Sequence, residues 1–327
     1  MVLLTTNDIA WVRIAFLFLF AFMLSIATNI CYCVYAKPMM LISEHTERKA
    51  YQKMTRELII ESAARFTLES PANYVSEEKA MDPKYVGMKM FEPPIFAFGA
   101  PSDDLYATFK SPEVVGSRFM LPGEWLPGAK TVISFFLPYT ERIKTANSAD
   151  FAWPAEEWLH GRIEGQIFLV ELANYLRDKL TGAGYKSLVP GTDPRFATGG
   201  SNDKKESPRD AFTSSWSERH VAFACGLGTF GLSKGLITEK GTCGRFGSIL
   251  TELDLEKDVR RYEGVYDYCI KCGACVPNCP AGAISPEGKD CFPCKAFIDK
   301  TAEKHGPRYG CGKCQVSVPC ESAAPGM

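Results

Sequence analysis

The stretch C-I-K-C-G-A-C-V-P-N-C-P, from Cys269 to Pro280, decides the fold of the C-terminal part of this chain. Its spacing, C-x2-C-x2-C-x3-C-P, is the run that holds a cubane iron–sulfur cluster in bacterial proteins. The first three thiolates fit one corner of a cube, because a short loop can direct each sulfur to a different iron. The fourth, Cys279, is turned away by Pro280 and in this motif ligates a second cluster. The spacing therefore predicts two neighbouring iron–sulfur clusters.

The remaining cysteines complete the two sites. The chain holds 13 cysteines, and nine of them lie between Cys269 and Cys320. In a crossed arrangement, the first cluster is ligated by Cys269, Cys272, Cys275 and Cys320. The second cluster is ligated by Cys279, Cys291, Cys311 and Cys314, with Cys294 as the alternative to Cys291. Crossing of this kind holds two cubes close together, as electron transfer requires.

A zinc ribbon is the competing interpretation of the later cysteines. The pair Cys291-x2-Cys294, followed after sixteen residues by Cys311-x2-Cys314, also has the spacing of a structural zinc site. The first run would then hold one cubane with Cys279, and Cys320 would be left over. Metal analysis separates the two, since two four-iron clusters need about eight irons and no zinc. Cluster thiolates must stay reduced, so the cysteines predict a cytoplasmic protein.

Length and composition are those of an ordinary globular protein. The 327 residues suffice for one large and one small domain, and 46% are hydrophobic and 23% charged. The net charge is −1, so no global field attracts nucleic acid.

The N-terminus is unusual in its hydrophobicity. From Ile14 to Ala36 there are 23 residues without a charge, a length that can span a bilayer as a helix. Basic residues follow, which predicts anchoring on the cytoplasmic face of the inner membrane through residues 14–36. The competing interpretation is a translation start downstream, at Met39, Met40 or Met54.

Apolar periodicity predicts helices that alternate with strands. The predicted helices are Arg48–Glu69, Ala155–Leu180 and Ser217–Cys225. The predicted strands are Thr131–Leu137, Tyr185–Val189 and Phe246–Leu255. This alternation favours a layered α/β domain ahead of the cysteines. We therefore divide the chain into a hydrophobic N-terminal segment with its linker (1–53), an α/β domain (54–260) and an iron–sulfur domain (261–327).

A glycine-rich loop lies at Gly226-Leu-Gly228-Thr-Phe-Gly231 and matches the dinucleotide pattern G-x-G-x-x-G. That pattern needs a strand before the glycines and a helix after them. Here the predicted order is helix, glycines, loop and strand, so we reject a nucleotide site. Two interpretations remain. Either Gly226, Gly228, Gly231 and Ser233 let a large flat cofactor approach the backbone, or the glycines form a helix C-cap and turn.

The segment S-W-S-E-R-H-V-A-F-A-C-G-L-G-T-F-G-L-S (Ser215 to Ser233) and the two-cluster C-terminus resemble the epoxyqueuosine reductase and reductive dehalogenase superfamily. Gly128 to Tyr139 is similar to the first core strand of that superfamily. The resemblance implies an α+β or α/β fold, in which a layered, nitroreductase-like domain precedes a ferredoxin-like domain with two [4Fe-4S] clusters. It also implies a base-off cobalamin between them, reduced through the clusters by an external low-potential donor of the ferredoxin or flavodoxin type. A nearby acid would protonate the substrate.

The chain departs from the superfamily at its C-terminus. The family's last motif, C-x2-C-x3-C-P, is replaced by Cys311-x2-Cys314-x5-Cys320, and no helical repeat for gripping tRNA follows. These departures favour a small-molecule substrate over tRNA.

Three residues are candidate proton donors: Asp193, Glu218 and His220. Each also has a structural interpretation, as a turn former, a helix-face charge and a packed core histidine respectively. The expected function is an iron–sulfur oxidoreductase that passes electrons to a corrinoid and reduces an unidentified substrate. The alternative is a ferredoxin-like electron carrier without a corrinoid that serves a partner enzyme.

Overall fold

The fold was obtained as a computed structural model, which describes residues 54–199 and 208–327. The predictions made for residues 1–53, including the membrane anchor at 14–36, lie outside the described residues. The described residues form seven α-helices, which are α1 (Arg56–Glu69), α2 (Leu105–Thr108), α3 (Pro122–Trp125), α4 (Glu141–Ser148), α5 (Glu156–Gly182), α6 (Glu218–Cys225) and α7 (Cys291–His305). Among these helices, none combines the length and the hydropathy that crossing a membrane requires.

The described residues also form eight strands, which are β1 (Ile95–Gly99), β2 (Thr131–Pro138), β3 (Ser187–Leu188), β4 (Gly228–Phe230), β5 (Leu236–Thr238), β6 (Gly244–Thr251), β7 (Ile284–Ser285) and β8 (Gly288–Lys289). Four of them build the central sheet in the order β1-β2-β6-β3, and every neighbouring pair is antiparallel. β2 and β6 pair over their whole length, from Thr131 opposite Thr251 to Pro138 opposite Gly244. The mixed α and β fold class is as predicted.

Helices cover both faces of this sheet. Because side chains alternate along a strand, β2 supplies both layers of the core. Ile133, Phe135 and Leu137 pack on the side of α5. Val132 and Phe136 pack on the side of α6. All five side chains are fully buried, and each contributes about 1.5–3 kcal/mol relative to exposure.

The cysteine-rich part follows the sheet and belongs to the same compact unit, Met54–Met327. It consists of the β7–β8 hairpin, α7 and an extended segment that ends the chain. Lys313 is fully buried and donates from Nζ to the Asn147 carbonyl at 2.6 Å. Asn147 in turn donates from Nδ2 to the Cys311 carbonyl at 3.0 Å. These bonds position the last cysteines against α4. The domain boundary at residue 260 stays a prediction.

Candidate active site

The first cysteine set lies on the loop before the β7–β8 hairpin. The loop turns tightly because Lys271 and Gly273 both adopt positive φ, of 49° and 74°. Cys320 returns to the same place from the end of the chain. The pKa of the Cys320 thiol is raised to about 12, first by burial and then by the neighbouring thiols of the first set, namely Cys269, Cys275 and Cys272. The four thiols that the spacing assigned to one cluster are therefore neighbours, and a set of four thiols fits a [4Fe-4S] cluster.

The second set has a different fourth member from the one we placed first. A cavity of about 120 Å³ is lined by Cys279, Cys294, Cys311 and Cys314. The pKa of Cys311 is raised to about 12, first by burial and then by the neighbouring thiols of Cys314, Cys294 and Cys279. Cys291 is the first residue of α7, and its Sγ accepts a hydrogen bond from Lys234 Nζ at 3.7 Å instead. The geometry thus favours the alternative, Cys294, over Cys291.

The two sets are adjacent. Burial raises the pKa of Cys275 to about 11, and the next cause is Cys314, which belongs to the second set. The second set includes Cys279 from the first run, as the crossed arrangement requires, whereas a zinc ribbon would use Cys291 in that place. Cys272 is exposed, so the first set reaches the protein surface.

Close packing positions Cys311. The next residue, Gly312, has a φ of +69°, and a Cβ there would lie 1.9 Å from Cζ2 of Trp158. Only glycine allows both this conformation and this approach. The loop that carries Cys311 is therefore held directly against the indole at the start of α5.

A large cavity adjoins the second set. It has a volume of about 910 Å³ and lies between α5, β6 and the cysteine-rich part. This volume is at the upper end of the range for small-molecule and cofactor sites, about 300–1,000 Å³. Cys291, Cys294 and Cys311 line it, as do the aromatic side chains Trp158, Phe196 and Phe246. The cavity is thus large and partly apolar, and two of its three cysteines, Cys294 and Cys311, also line the small cavity at the second set. These features fit a large flat cofactor.

The glycine-rich loop does not belong to this cavity. Gly226 has a φ of +96° and caps α6. Gly228 pairs with Thr238 in the β4–β5 hairpin, and a Cβ there would lie 2.1 Å from the Ile237 carbonyl oxygen. Neither these residues nor Gly231 and Ser233 line the cavity. The cofactor-binding interpretation is therefore replaced by its structural alternative, because the glycines are required by the cap and by close strand pairing.

Glu218 is the candidate acid that reaches the cavity. It is the first residue of α6, and its carboxylate lines the cavity wall. Its Oε2 is buried and has no hydrogen-bond partner among the residues that the structure describes. Burial raises the pKa of this carboxyl to about 7. A carboxyl with this pKa can hold a proton near neutral pH and release it to a ligand.

The other two candidates have structural roles. Asp193 forms an ion pair with Arg195 at 2.8 Å, and hydrogen bonds from Arg195 lower the pKa of the carboxyl. His220 packs between the rings of Phe109 and Phe230, and burial lowers its pKa to about 4. Neither residue lines the cavity. The sequence alone could not show which of the three candidates is the proton donor. The burial of each side chain and its position relative to the cavity depend on residues that are far apart in the chain.

Sequence reasoning also missed two arginines that line the cavity, Arg162 and Arg245. Arg162 lies on α5, within a helix that was predicted from its apolar positions only. Arg245 lies just ahead of the predicted start of its strand. A signal exists in G-R-F-G at 244–247, where glycines flank an arginine at the beginning of a buried strand.

Comparison with known proteins gives four findings. The family of the 4Fe-4S binding domain matches residues 262–285. An epoxyqueuosine reductase from Francisella cf. novicida is 29% identical over 238 residues, which cover 64% of this chain and 58% of that protein. A tetrachloroethene reductive dehalogenase from Desulfitobacterium hafniense is 41% identical over 68 residues, 20% of this chain and 12% of that protein. A solved epoxyqueuosine reductase with an epoxyqueuosine-modified tRNA stem loop is similar with a TM-score of 0.45 and 20% identity, over 71% of this chain and 62% of that one.

This chain spans a little over half the length of the epoxyqueuosine reductases that it matches, 58% of one and 53% of another. In both comparisons, the aligned region covers 64% of this chain.

Proposed function

We propose that the chain is an iron–sulfur oxidoreductase of the superfamily of the epoxyqueuosine reductases and the reductive dehalogenases, as its similarity to these proteins and its 4Fe-4S binding domain support. One observation carries the proposal. Cys294 and Cys311 line both the small cavity at the second cysteine set and the large cavity beside it. A redox centre at the second set would therefore be in contact with whatever the large cavity binds.

Eight cysteines would hold two [4Fe-4S] clusters, which supply one-electron transfer between the protein surface and the cavity. The first is held by Cys269, Cys272, Cys275 and Cys320. The second is held by Cys279, Cys294, Cys311 and Cys314. The adjacency of the two sets and the exposure of Cys272 support this assignment.

The large cavity would hold a corrinoid, which supplies a strongly reducing metal centre when bound. The protein's own contribution would be to contact this cofactor with the aromatic side chains that line the cavity, Trp158 and Phe246 among them, and to exclude water from it. Of the histidines that the structure describes, none lines the cavity, so the chain offers no imidazole to the metal from that part. This matches base-off, histidine-off binding.

Glu218 would be the proton donor. It holds a proton at Oε2 below a pH of about 7 and faces the cavity that would contain the substrate. The carboxyl is positioned by the start of α6, so the acid is fixed on a rigid element rather than on a mobile loop. Rigid placement keeps the proton within reach of one position in the cavity.

An external low-potential donor of the ferredoxin or flavodoxin type would dock beside Cys272. Three exposed apolar side chains precede this cysteine in sequence, namely Val265, Tyr266 and Ile270, and the exposed Lys271 lies over the Tyr266 ring. An apolar patch with a positive charge suits a transient complex with an acidic electron carrier.

For the substrate we retain a small molecule. Because the relatives are named epoxyqueuosine reductases, epoxyqueuosine is the first compound to assay, both free and within tRNA.

The experiment that tests the proposal is a UV–visible titration of the full-length protein, purified anaerobically, with cobalamin. We expect about eight irons and no zinc per chain, and corrinoid bands that shift when a low-potential reductant is added. An iron–sulfur spectrum without any bound corrinoid would instead support the electron-carrier alternative. About four irons together with zinc would support the zinc ribbon and refute the two-cluster assignment.

A further inference from the structure

The large cavity is positively charged. Five cationic side chains line it, namely Arg162, Arg219, Arg245, Lys289 and Lys295. Among the described residues that line the cavity, Glu218 alone carries a carboxylate. Lys295 is neutralised by Asp299 at 2.7 Å. The other four have no carboxylate ion-pair partner within the described part of the chain.

Two of these cations lie together at one corner. Arg162 and Gln166 are one turn apart on α5, and Arg245 reaches across from β6 to donate from Nη2 to Gln166 Oε1. Arg162 donates from Nη2 to the Tyr309 hydroxyl at 3.2 Å, with its guanidinium 4.8 Å from the centroid of the Tyr309 ring. Both guanidiniums are thus held in place by neutral partners.

One hydrogen-bond donor at this corner has no acceptor among the described residues. Arg245 Nε is buried and has no hydrogen-bond partner among the residues described here. Burial lowers the pKa of Arg245, and Tyr139 offsets part of this effect. The positive charge of Arg162 lowers the pKa further, so the two charges repel each other. A buried charge with an unused donor and a like-charged neighbour is costly unless an anion compensates both.

We infer that Arg162 and Arg245 form a binding site for an anionic group, a phosphate or a carboxylate, in the large cavity. Planar guanidiniums bind such groups with paired, charge-assisted hydrogen bonds, and Arg245 Nε supplies a free donor for one of them. The inference rests on the large cavity being the ligand site of the proposed function, and it adds the charge of the ligand. The anion can come from two sources, the phosphate of the nucleotide loop of cobalamin or an acidic group of the substrate.

Calorimetric titration of the reconstituted full-length protein with inorganic phosphate, and separately with acetate, tests the site. We expect at least one of these anions to bind, and Arg245→Gln and Arg162→Gln each to weaken that binding at least about tenfold, the loss expected for a charge-assisted hydrogen bond. Arg177→Gln is the matched control, because Arg177 lies on the same helix but pairs with Asp178 at 2.8 Å. Two variants are used so that misfolding of one, seen by circular dichroism, leaves the other as a test.

The inference is overturned if neither anion binds to the wild-type protein, or if both arginine variants bind as tightly as Arg177→Gln. A comparison of cobalamin with cobinamide, which lacks the nucleotide phosphate, then identifies the source. If Arg245→Gln weakens cobalamin binding and leaves cobinamide binding unchanged, the anion is the corrinoid phosphate. If neither corrinoid is affected while phosphate or acetate binding is lost, the anion belongs to the substrate. If no corrinoid binds but the anion still requires both arginines, the corrinoid proposal fails and the anion site stands.

Discussion

At the scale of single residues, the positions of two neighbouring cysteines favour Cys294 over Cys291 as the fourth thiol of the second set. Cys291 and Cys294 are separated by one turn of α7. The first points to Lys234, and the second joins the thiols of Cys279, Cys311 and Cys314. The spacing of the cysteines alone is compatible with either residue as the fourth ligand, because both lie on the same helix.

We expect Cys294→Ala to lower the iron content from about eight to about four per chain, because one cubane loses a ligand. Cys291→Ala is the matched control and should keep about eight irons. Iron and acid-labile sulfide analysis of the anaerobically reconstituted proteins measures both. The opposite pattern, with iron lost from Cys291→Ala, would restore our first assignment.

Glu218 should make stability depend on pH. Its carboxyl has a pKa of about 7 in the folded protein, raised from 4.5, so the folded state keeps a proton that the unfolded state has released. Stability is therefore highest below pH 4.5 for this group and is lost as the pH rises toward about 7, by at most about 3 kcal/mol. Glu218→Gln should make the urea midpoint independent of pH across this window. It should also lower reductase activity at every pH, because an amide cannot supply the proton of the carboxyl.

Asp193→Asn provides the comparison for this experiment. The pKa of Asp193 is lowered by Arg195, so its contribution is lost only as the pH falls through more acidic values. Between pH 4.5 and 7, the urea midpoint of this variant should change with pH as it does in the wild-type protein. A wild-type slope in Glu218→Gln as well would show that Glu218 is ionised throughout.

At the scale of elements, the β4–β5 hairpin connects α6 to the first cysteine set. Thr229 Oγ1 accepts from the Tyr268 amide at 2.9 Å, and the Phe230 amide donates to the Val265 carbonyl at 2.8 Å. These bonds hold the chain that leads into Cys269. The glycine-rich loop thus supports the cluster loop rather than contacting a ligand in the cavity.

Gly228→Ala should destabilise the protein by about 2 kcal/mol or more, since a Cβ cannot fit 2.1 Å from the Ile237 carbonyl oxygen without displacing a strand. Iron content should fall as well, because the displaced hairpin holds the cluster loop. Gly182→Ala at the end of α5 is the control, as nothing lies within 4 Å of its added Cβ. Urea unfolding curves that coincide for the two variants would contradict this role of the hairpin.

At the scale of the whole molecule, a buried ion pair connects α5 to the segment that follows α7. Glu164 and Arg308 approach to 2.6 Å, and His160 Nδ1 lies 3.0 Å from the same carboxylate. The Met81 amide donates to His160 Nε2, so Nδ1 is the ring nitrogen that donates to Glu164. Three distant parts of the chain, at Met81, α5 and Arg308, are thereby connected through Glu164 and His160.

Glu164→Gln should destabilise the chain by about 3 kcal/mol, because the variant leaves the buried Arg308 charge without its partner. The control is Asp178→Asn, which breaks an exposed pair with Arg177 and should change stability by less than about 0.5 kcal/mol. Chemical denaturation of both variants measures the difference. Equal midpoints would mean that water replaces the carboxylate around Arg308.

The sequence by itself determined the cluster chemistry and the main elements. Four cysteines within a short loop specify cluster ligation, because ligand geometry there depends on adjacent residues only. Local apolar patterns placed the ends of β2, α5 and α6 within two residues of those observed. The strand β1 was missed, since it is short and lies in a stretch rich in proline and glycine. The tertiary structure alone decided the antiparallel sheet order, the choice of Cys294, the burial of Glu218 and the cationic corner at Arg162 and Arg245. Each of these depends on residues that are far apart in the chain, and only packing brings such residues together.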